Sequence, residues 1–297
     1  MKDPLNIVKE ADTYREKQGD IKKGISLLEK HLKELEKDSG VLSFYIPLFS
    51  KKLGDFYRDI GNTQKALEMY KRGLEVARND LNKMEEADIL VALAFLELKI
   101  GTTEKALNYA HKAWEYIGPK RGAKFAEVKS NTLAAMGNIH FEDGDNDEAL
   151  DCYRKAIKVA RKHNIAKRVI TVTGDIANVY LNKGSEGVAL GLLKKLLPEA
   201  KGSYRVAVPQ IYIRIGKIYL ESKECKKAEE NFKKALDYAQ EESLVRDIGE
   251  SYEALGDVFI HQNISIAHTY YEKALKQYER GSLTRHTDSL KQKIKRN

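Results

Sequence analysis

A pattern of small and aromatic residues recurs along this chain about every 40 residues. Its clearest copy begins at Gly54 and continues with Gly61, Ala66, Tyr70 and Gly73, at offsets of 7, 12, 16 and 19 residues. A fixed period of this length is typical of units that cannot bury their apolar faces alone and must stack on their neighbours. The period therefore predicts a solenoid of stacked repeats.

Seven residues, which we call the anchors, each begin a copy of this pattern. They are Asp12, Gly54, Ala94, Gly137, Ala177, Gly216 and Gly256, separated by 42, 40, 43, 40, 39 and 40 residues. The first copy continues with Gly19, Gly24 and Leu28 and matches least well, as expected of a capping repeat at the end of an array. In the last copy Ala267 and Tyr271 come one residue early, which predicts a shortened turn.

The clearest copy resembles the tetratricopeptide repeat, a helix-turn-helix hairpin. The resemblance rests on the run Leu-Gly-Asp-Phe-Tyr at 53–57 followed by Ala66, Tyr70 and Gly73, and it extends over essentially the whole chain. These repeats exceed the usual length of about 34 residues, and they look like those of kinesin light chains, LGN-type spindle adaptors and bacterial peptide-pheromone receptors. The resemblance implies a right-handed all-α superhelix whose first helices line a concave, peptide-binding groove.

The residue types within each repeat support helices independently of the resemblance. Glycine inside a helix costs roughly 0.5–1 kcal/mol relative to alanine, so a recurring anchor glycine predicts that an aromatic ring of a neighbouring helix packs against it. Glycine followed by short polar residues, as at 61–63 and 144–146, marks the turns. We expect seven hairpins and a capping helix at about 283–296, all in one domain, 1–297, that is roughly 70% helix or more.

Motifs and composition narrow the class of protein. Nucleotide-binding, zinc-protease, serine-hydrolase and calcium-loop motifs do not occur, and the seven histidines lie without a metal-ligand partner nearby in sequence. We therefore expect no enzyme activity, no metal and no cofactor. Cys152 and Cys225 form no CxxC motif and predict packed free thiols. With no signal-peptide pattern and no long apolar run, we expect a soluble, cytoplasmic protein without membrane insertion.

The resemblance also indicates which residues face the groove: those one and five places after each anchor and two and three places before it. The candidates for a peptide-binding site are Ala135, Asn138, Gly174, Asp175, Asn178, Asn182, Arg214 and Lys217. Asn138 and Asn178 occupy equivalent places on adjacent repeats, and a carboxamide offers a donor and an acceptor to a peptide backbone. Ala134, Ala135 and Gly174 would leave room for the ligand, unless small residues there only allow the first helices to pack.

Basic residues are concentrated in one part of the chain. Residues 151–220 hold 14 Lys and Arg against 4 Asp and Glu, whereas the two flanking segments are nearly balanced. Seven of them form what we call the basic patch: Arg154, Lys155, Lys158, Arg161, Lys162, Lys167 and Arg168. The patch predicts either a solvated outer face or a surface for an acidic partner. It has no interleaved exposed aromatic residues, which disfavours nucleic acid.

These observations predict a non-catalytic adaptor that binds a peptide or a disordered partner segment in its groove, as a monomer or a weak homo-oligomer. Two alternatives stay open. The first is a regulatory sensor in which a short peptide changes the pitch of the superhelix. The second is a scaffold in an RNA or membrane-surface assembly that uses the basic residues of 151–220.

Overall fold

The computed structural model describes residues 3–15, 20–37 and 41–296. Helix accounts for 87% of the structure, and no strand occurs in the described part, so the predicted all-α class is confirmed. Gly19 of the first repeat lies outside the described residues.

Fifteen α-helices follow one another along the described residues, and five consecutive pairs of them pack as helix-turn-helix hairpins. The helices are α1 Pro4–Thr13, α2 Ile21–Lys37, α3 Ile46–Asp59, α4 Thr63–Asn79, α5 Lys83–Ile100, α6 Thr103–Ile117, α7 Ala126–Glu142, α8 Asn146–Lys162, α9 Ala166–Asn182, α10 Glu186–Ser203, α11 Val208–Glu221, α12 Cys225–Glu241, α13 Val245–Phe259, α14 Ile264–Arg280 and α15 Thr284–Arg296. The capping helix begins one residue after its predicted start. Short 3-10 helices precede α3, α7 and α11.

The helices group into two compact units. The first comprises Met1–Val8 and Ile25–Ser185, and the second comprises Lys9–Gly24 and Glu186–Asn297. In the first unit α3 packs on α4, α5 on α6 and α7 on α8, while α3, α5, α7 and α9 touch in that order. In the second unit α11 packs on α12 and α13, and α14 packs on α13 and α15. The single domain over 1–297 stays a prediction.

Two helices of a hairpin cross closely at each anchor glycine. A Cβ atom added to Gly137 would lie 2.5 Å from Cε1 of Tyr153, a buried ring at offset 16. The same clash would occur at the other anchor glycines: 2.3 Å between Gly54 and Tyr70, 2.4 Å between Gly216 and Phe232, and 2.3 Å between Gly256 and Tyr271. Where the anchor is Ala94, offset 16 holds the small residue Ala110. The predicted glycine–aromatic packing is confirmed.

The turn that joins a first to a second helix has a common geometry after the anchors Gly54, Ala94, Gly137, Ala177 and Gly216. At offset 7 the backbone is left-handed, as at Gly61 with a φ of 80° and at Lys223 with a φ of 61°. In the last hairpin, Asn263 replaces this residue with an extended φ of −155°, and its side chain accepts a hydrogen bond from the backbone N–H of Ile266. The predicted change of turn is confirmed, because the left-handed residue is lost and α14 starts one place earlier relative to its anchor.

Candidate functional site

Tyrosines of the second helices reach back to the first helices. The tyrosine hydroxyl at offset 16, or at offset 15 in the last copy, donates a hydrogen bond to the residue directly after the anchor in three hairpins: Tyr70 to Asp55 at 2.7 Å, Tyr153 to Asn138 at 2.7 Å, and Tyr271 to Asp257 at 2.8 Å. These rings are fully buried or nearly so. Because a buried hydroxyl without a partner is costly, the acceptor after the anchor has a structural role in each of these hairpins.

Asn138 and Asn178 are therefore not equivalent, although they occupy the same place in the repeat. The side-chain oxygen of Asn138 accepts the bond from Tyr153. The corresponding offset from the anchor of Asn178 holds Leu193, which has no hydroxyl. Within the described part of the chain, the half-buried carboxamide of Asn178 makes no hydrogen bond. The sequence carried this signal, since every repeat with Tyr at this aromatic position has Asp or Asn after its anchor, whereas the repeat of Asn178 has Leu193 there.

The small residues expected to leave room for a ligand are buried instead. Ala134 is 2% exposed and Ala135 is 1% exposed, and Gly174 is also buried. Their helices, α7 and α9, contact each other, and α7 also contacts α5. The expectation of open space at these residues is therefore wrong, and they serve the close packing of neighbouring first helices.

The remaining candidate residues of the peptide-binding site differ in their exposure and in their partners. Asp175 in the first unit and Arg214 in the second are half-buried, and each has an interaction partner. Lys217, also in the second unit, is exposed. Asn182 is exposed, and its Nδ2 donates a 3.3 Å hydrogen bond to Oδ1 of Asn146 at the start of α8.

A charge network that sequence reasoning missed lies on α3 and α5 of the first unit. The Nζ of Lys51 lies 3.0 Å from Asp88 and 3.6 Å from Asp55, and Arg58 lies 3.1 Å from the same Asp55. Burial opposes the charge on Lys51, but the carboxylates of Asp88 and Asp55 outweigh it and raise its pKa. Asp55 is thus held by a tyrosine and two cations, which leaves it little capacity to recognise a ligand.

In the second unit, α13 presents carboxylates to its neighbours. The amide nitrogen of Gln210 on α11 contacts Oδ1 of Asp247 and lies 2.5 Å from Oε2 of Glu250. Nε2 of His286 on α15 lies 3.5 Å from Oε1 of Glu250. Burial, together with the charge of Glu250, raises the pKa of Asp247 to about 6 against the hydrogen bond from Gln210.

The capping helix α15 is attached along the same face of α13. Lys293 lies 3.1 Å from Glu253 and 2.8 Å from Oδ2 of Asp257. Leu290 of α15 is fully buried. These contacts hold the end of the second unit by both charge and apolar packing.

The basic patch lies on α8 and at the start of α9. Six of its members are exposed, Arg154, Lys155, Lys158, Arg161, Lys162 and Lys167, while Arg168 is half-buried. Only Lys155 among the cations of α8 has a close carboxylate in the described structure, Asp151 at 2.5 Å.

Cys152 and Cys225 are free and half-buried, as predicted, and burial raises the pKa of the Cys152 thiol. Over the described ranges, no group of three or more His, Cys, Asp or Glu residues is arranged to hold a metal ion. No helix in those ranges combines the length and apolar character needed to span a bilayer.

The geometry of the hairpins agrees with known repeat proteins. Tetratricopeptide-repeat profiles match residues 51–84, 130–163 and 202–280. The chain belongs to the tetratricopeptide-repeat family. These matches fall on the hairpins whose anchors are glycines, where the packing of an aromatic ring is best preserved.

Curated relatives share part of this tetratricopeptide-repeat chain. Outer dynein arm-docking complex subunit 4 of Mus musculus is 24% identical over 168 residues, which cover 57% of this chain and 26% of that protein. The 43 kDa receptor-associated protein of the synapse of Tetronarce californica is 22% identical over 235 residues, which cover 78% of this chain and 53% of that protein. The chain thus spans between about a quarter and about half the length of these relatives.

A solved structure shares the fold over most of the chain. It is the Rap conjugation gene regulator of the plasmid pLS20 in complex with the Phr* peptide, with a TM-score of 0.63 and 15% identity. The match covers 91% of this tetratricopeptide-repeat chain and 72% of that one.

Proposed function

We propose that this tetratricopeptide-repeat protein is a non-catalytic adaptor that binds an extended segment of another protein on α7 and α9. The observation that carries the proposal is the carboxamide of Asn178, which is half-buried and makes no hydrogen bond in the described structure. Covering such a polar group with a ligand costs little free energy, provided that the ligand supplies a hydrogen-bond partner.

Asn138 supports the same proposal in a different way. Its oxygen accepts the hydrogen bond from Tyr153, so the amide plane is held in place by a buried ring. The Nδ2 group makes no hydrogen bond to described residues and remains a donor. Asn138 would therefore donate to a peptide carbonyl, while Asn178 could both donate and accept. Binding of this kind uses the peptide backbone and tolerates different side chains.

The comparisons add support of a general kind. The Rap regulator, which shares the fold, is seen in complex with a peptide. The known relatives include a docking-complex subunit and a receptor-associated protein. An adaptor function for this chain is consistent with both.

The experiment separates recognition from stability. We expect Asn178→Ala to weaken binding about five- to a hundredfold, because one hydrogen-bonding group facing a buried partner contributes about 1–3 kcal/mol. The same variant should keep the wild-type melting temperature. The ligand would be captured from native lysate, synthesised as a peptide and titrated by calorimetry.

Asn138 provides the matched control. Asn138→Ala should lower the free energy of unfolding by about 1 kcal/mol, because the hydroxyl of Tyr153 loses its acceptor. Asn138→Asp should keep that acceptor, as Asp55 and Asp257 do in their hairpins, and lose only the donor to the ligand. Unchanged affinity in an Asn138→Asp/Asn178→Ala double variant would contradict the proposed site.

A further inference from the structure

The second helix of the fourth hairpin, α8, has a charge pattern that three other second helices lack. At offset 21 from the anchor, α4, α6 and α12 carry the exposed carboxylates Glu75, Glu115 and Asp237. In α8 this place holds the exposed Lys158. From 152 to 174 the sequence contains seven basic residues and no acidic residue. The C-terminal half of α8 therefore has no carboxylate at the place where those three helices carry one.

The uncompensated cations share one face of the helix. Arg154, Lys158 and Arg161 follow one another at intervals of four and three residues, and Lys162 lies beside them. All four are exposed, and in the described part of the structure none lies within ion-pair distance of a carboxylate. By contrast, the exposed Arg78 of α4 is paired with Glu86 at 2.9 Å.

The opposite end of α8 is acidic, which bears on the class of partner. Asp147, Glu148 and Asp151 are exposed in its first turns, with Asp147 bound to Lys183 at 2.8 Å. A continuous polyanion lying along the helix would meet these carboxylates and be repelled. The only aromatic residue of α8, Tyr153, is 1% exposed and cannot stack on a base. A short acidic protein segment that covers only the basic C-terminal half of α8 fits this surface better than a nucleic acid, which would extend over both halves.

We propose that Arg154, Lys158, Arg161 and Lys162 form a docking surface for an acidic helical segment of a partner protein. From Arg154 to Lys162 the surface extends about 12 Å along the helix axis. Carboxylates spaced at i, i+4 and i+7 on a partner helix would present their charges at the same spacing. This contact is separate from the one proposed on α7 and α9, because it uses the exposed side of a second helix.

A designed peptide tests the surface directly. The probe is a fluorescein-labelled helix with glutamates at i, i+4, i+7 and i+8, and binding to the whole chain is followed by fluorescence anisotropy. We expect Lys158→Glu/Arg161→Glu/Lys162→Glu to weaken binding at least tenfold. Affinity for the wild type should fall as salt rises toward physiological ionic strength, where the screening length is about 8 Å. Circular dichroism melting would verify that the variant is folded.

A matched variant distinguishes binding at this surface of α8 from a general effect of the protein's net charge. Lys226→Glu/Lys227→Glu/Lys234→Glu makes the same change in net charge on exposed lysines of α12, and we expect it to alter affinity less than twofold. An equal loss in both variants, or no binding of the peptide to the wild type, would overturn the proposal. Tighter binding of a DNA duplex than of the peptide, lost in the α8 variant, would overturn it in favour of nucleic acid. Asn178→Ala should leave this interaction unchanged, so its outcome is independent of the first-helix site.

Discussion

Replacing Gly137 with alanine is expected to lower the free energy of unfolding by roughly 3 kcal/mol, near the upper end for an overpacked core. The added methyl group would lie 2.5 Å from Cε1 of Tyr153 and 2.6 Å from its Cδ1. The ring is buried and hydrogen-bonded to Asn138, so it cannot move aside without losing both packing and that bond. Urea unfolding followed by circular dichroism measures the effect.

Two further variants test whether the loss of stability comes from the close helix crossing at Gly137. Apart from its chain neighbours and the backbone of its own helix, no atom lies within 4 Å of a Cβ added to Gly191 inside α10. Gly191→Ala should therefore raise stability by about 0.5–1 kcal/mol. Adding Tyr153→Leu to Gly137→Ala should recover part of the loss, because the bulky ring is then absent. If Gly137→Ala unfolds at the same urea concentration as the wild type, the close crossing of α7 and α8 is wrong.

Replacing Asp247 with asparagine is expected to raise stability by about 2 kcal/mol at pH 7. Asp247 is 9% exposed, and burial raises its pKa to about 6 from 3.8. Above pH 6 the folded protein must therefore hold a buried negative charge that the unfolded chain keeps in water. Asparagine retains an oxygen for the amide of Gln210 without carrying that charge.

The pH dependence gives the sign of the effect. Because the folded-state pKa of Asp247 is raised, its contribution to stability is most favourable below about pH 4 and is lost as the pH rises through about 6. The difference between Asp247→Asn and the wild type should thus shrink as the pH falls from 7 to 4. Thermal melting across this range measures it.

Glu250 is a useful contrast on the same helix. Burial opposes its charge, but hydrogen bonds from His286 and Gln210 outweigh this and lower the pKa of Glu250. Glu250→Gln should therefore reduce stability at neutral pH, in the opposite direction to Asp247→Asn. If both substitutions change stability in the same direction, the negative charge is not located on Glu250 as the contacts indicate.

Features fixed within one repeat could be predicted from the sequence. The recurring anchor glycines predicted the packing of Tyr153 against Gly137. The spacing that is one residue shorter in the last copy predicted the altered turn at Asn263. These features depend on residues close in sequence, whose spacing on a helix is fixed by its geometry. They required no knowledge of how one hairpin lies on the next.

Features that depend on contacts between neighbouring hairpins could not be predicted from the repeat pattern. Gln210 contacts Asp247 across 37 residues, and Lys51 meets Asp88 on a different first helix. Side-chain direction and burial decide such contacts, and the repeat pattern specifies neither. The burial of Ala135 was missed for the same reason, since a small residue can mark either an open groove or a close helix contact.

The hydrogen bond from a second-helix tyrosine to the residue after the anchor affects how such a protein can evolve. Where a tyrosine occupies offset 16, the residue after the anchor must remain an acceptor, and mutation there would be selected against through stability rather than binding. Phe95, Asn178 and Lys217 follow anchors whose partners at offset 16 lack a hydroxyl. Their chemical variety reflects this freedom. New partner preferences would accumulate at these three positions, while Asp55, Asn138 and Asp257 could be replaced only by residues that keep a hydrogen-bond acceptor.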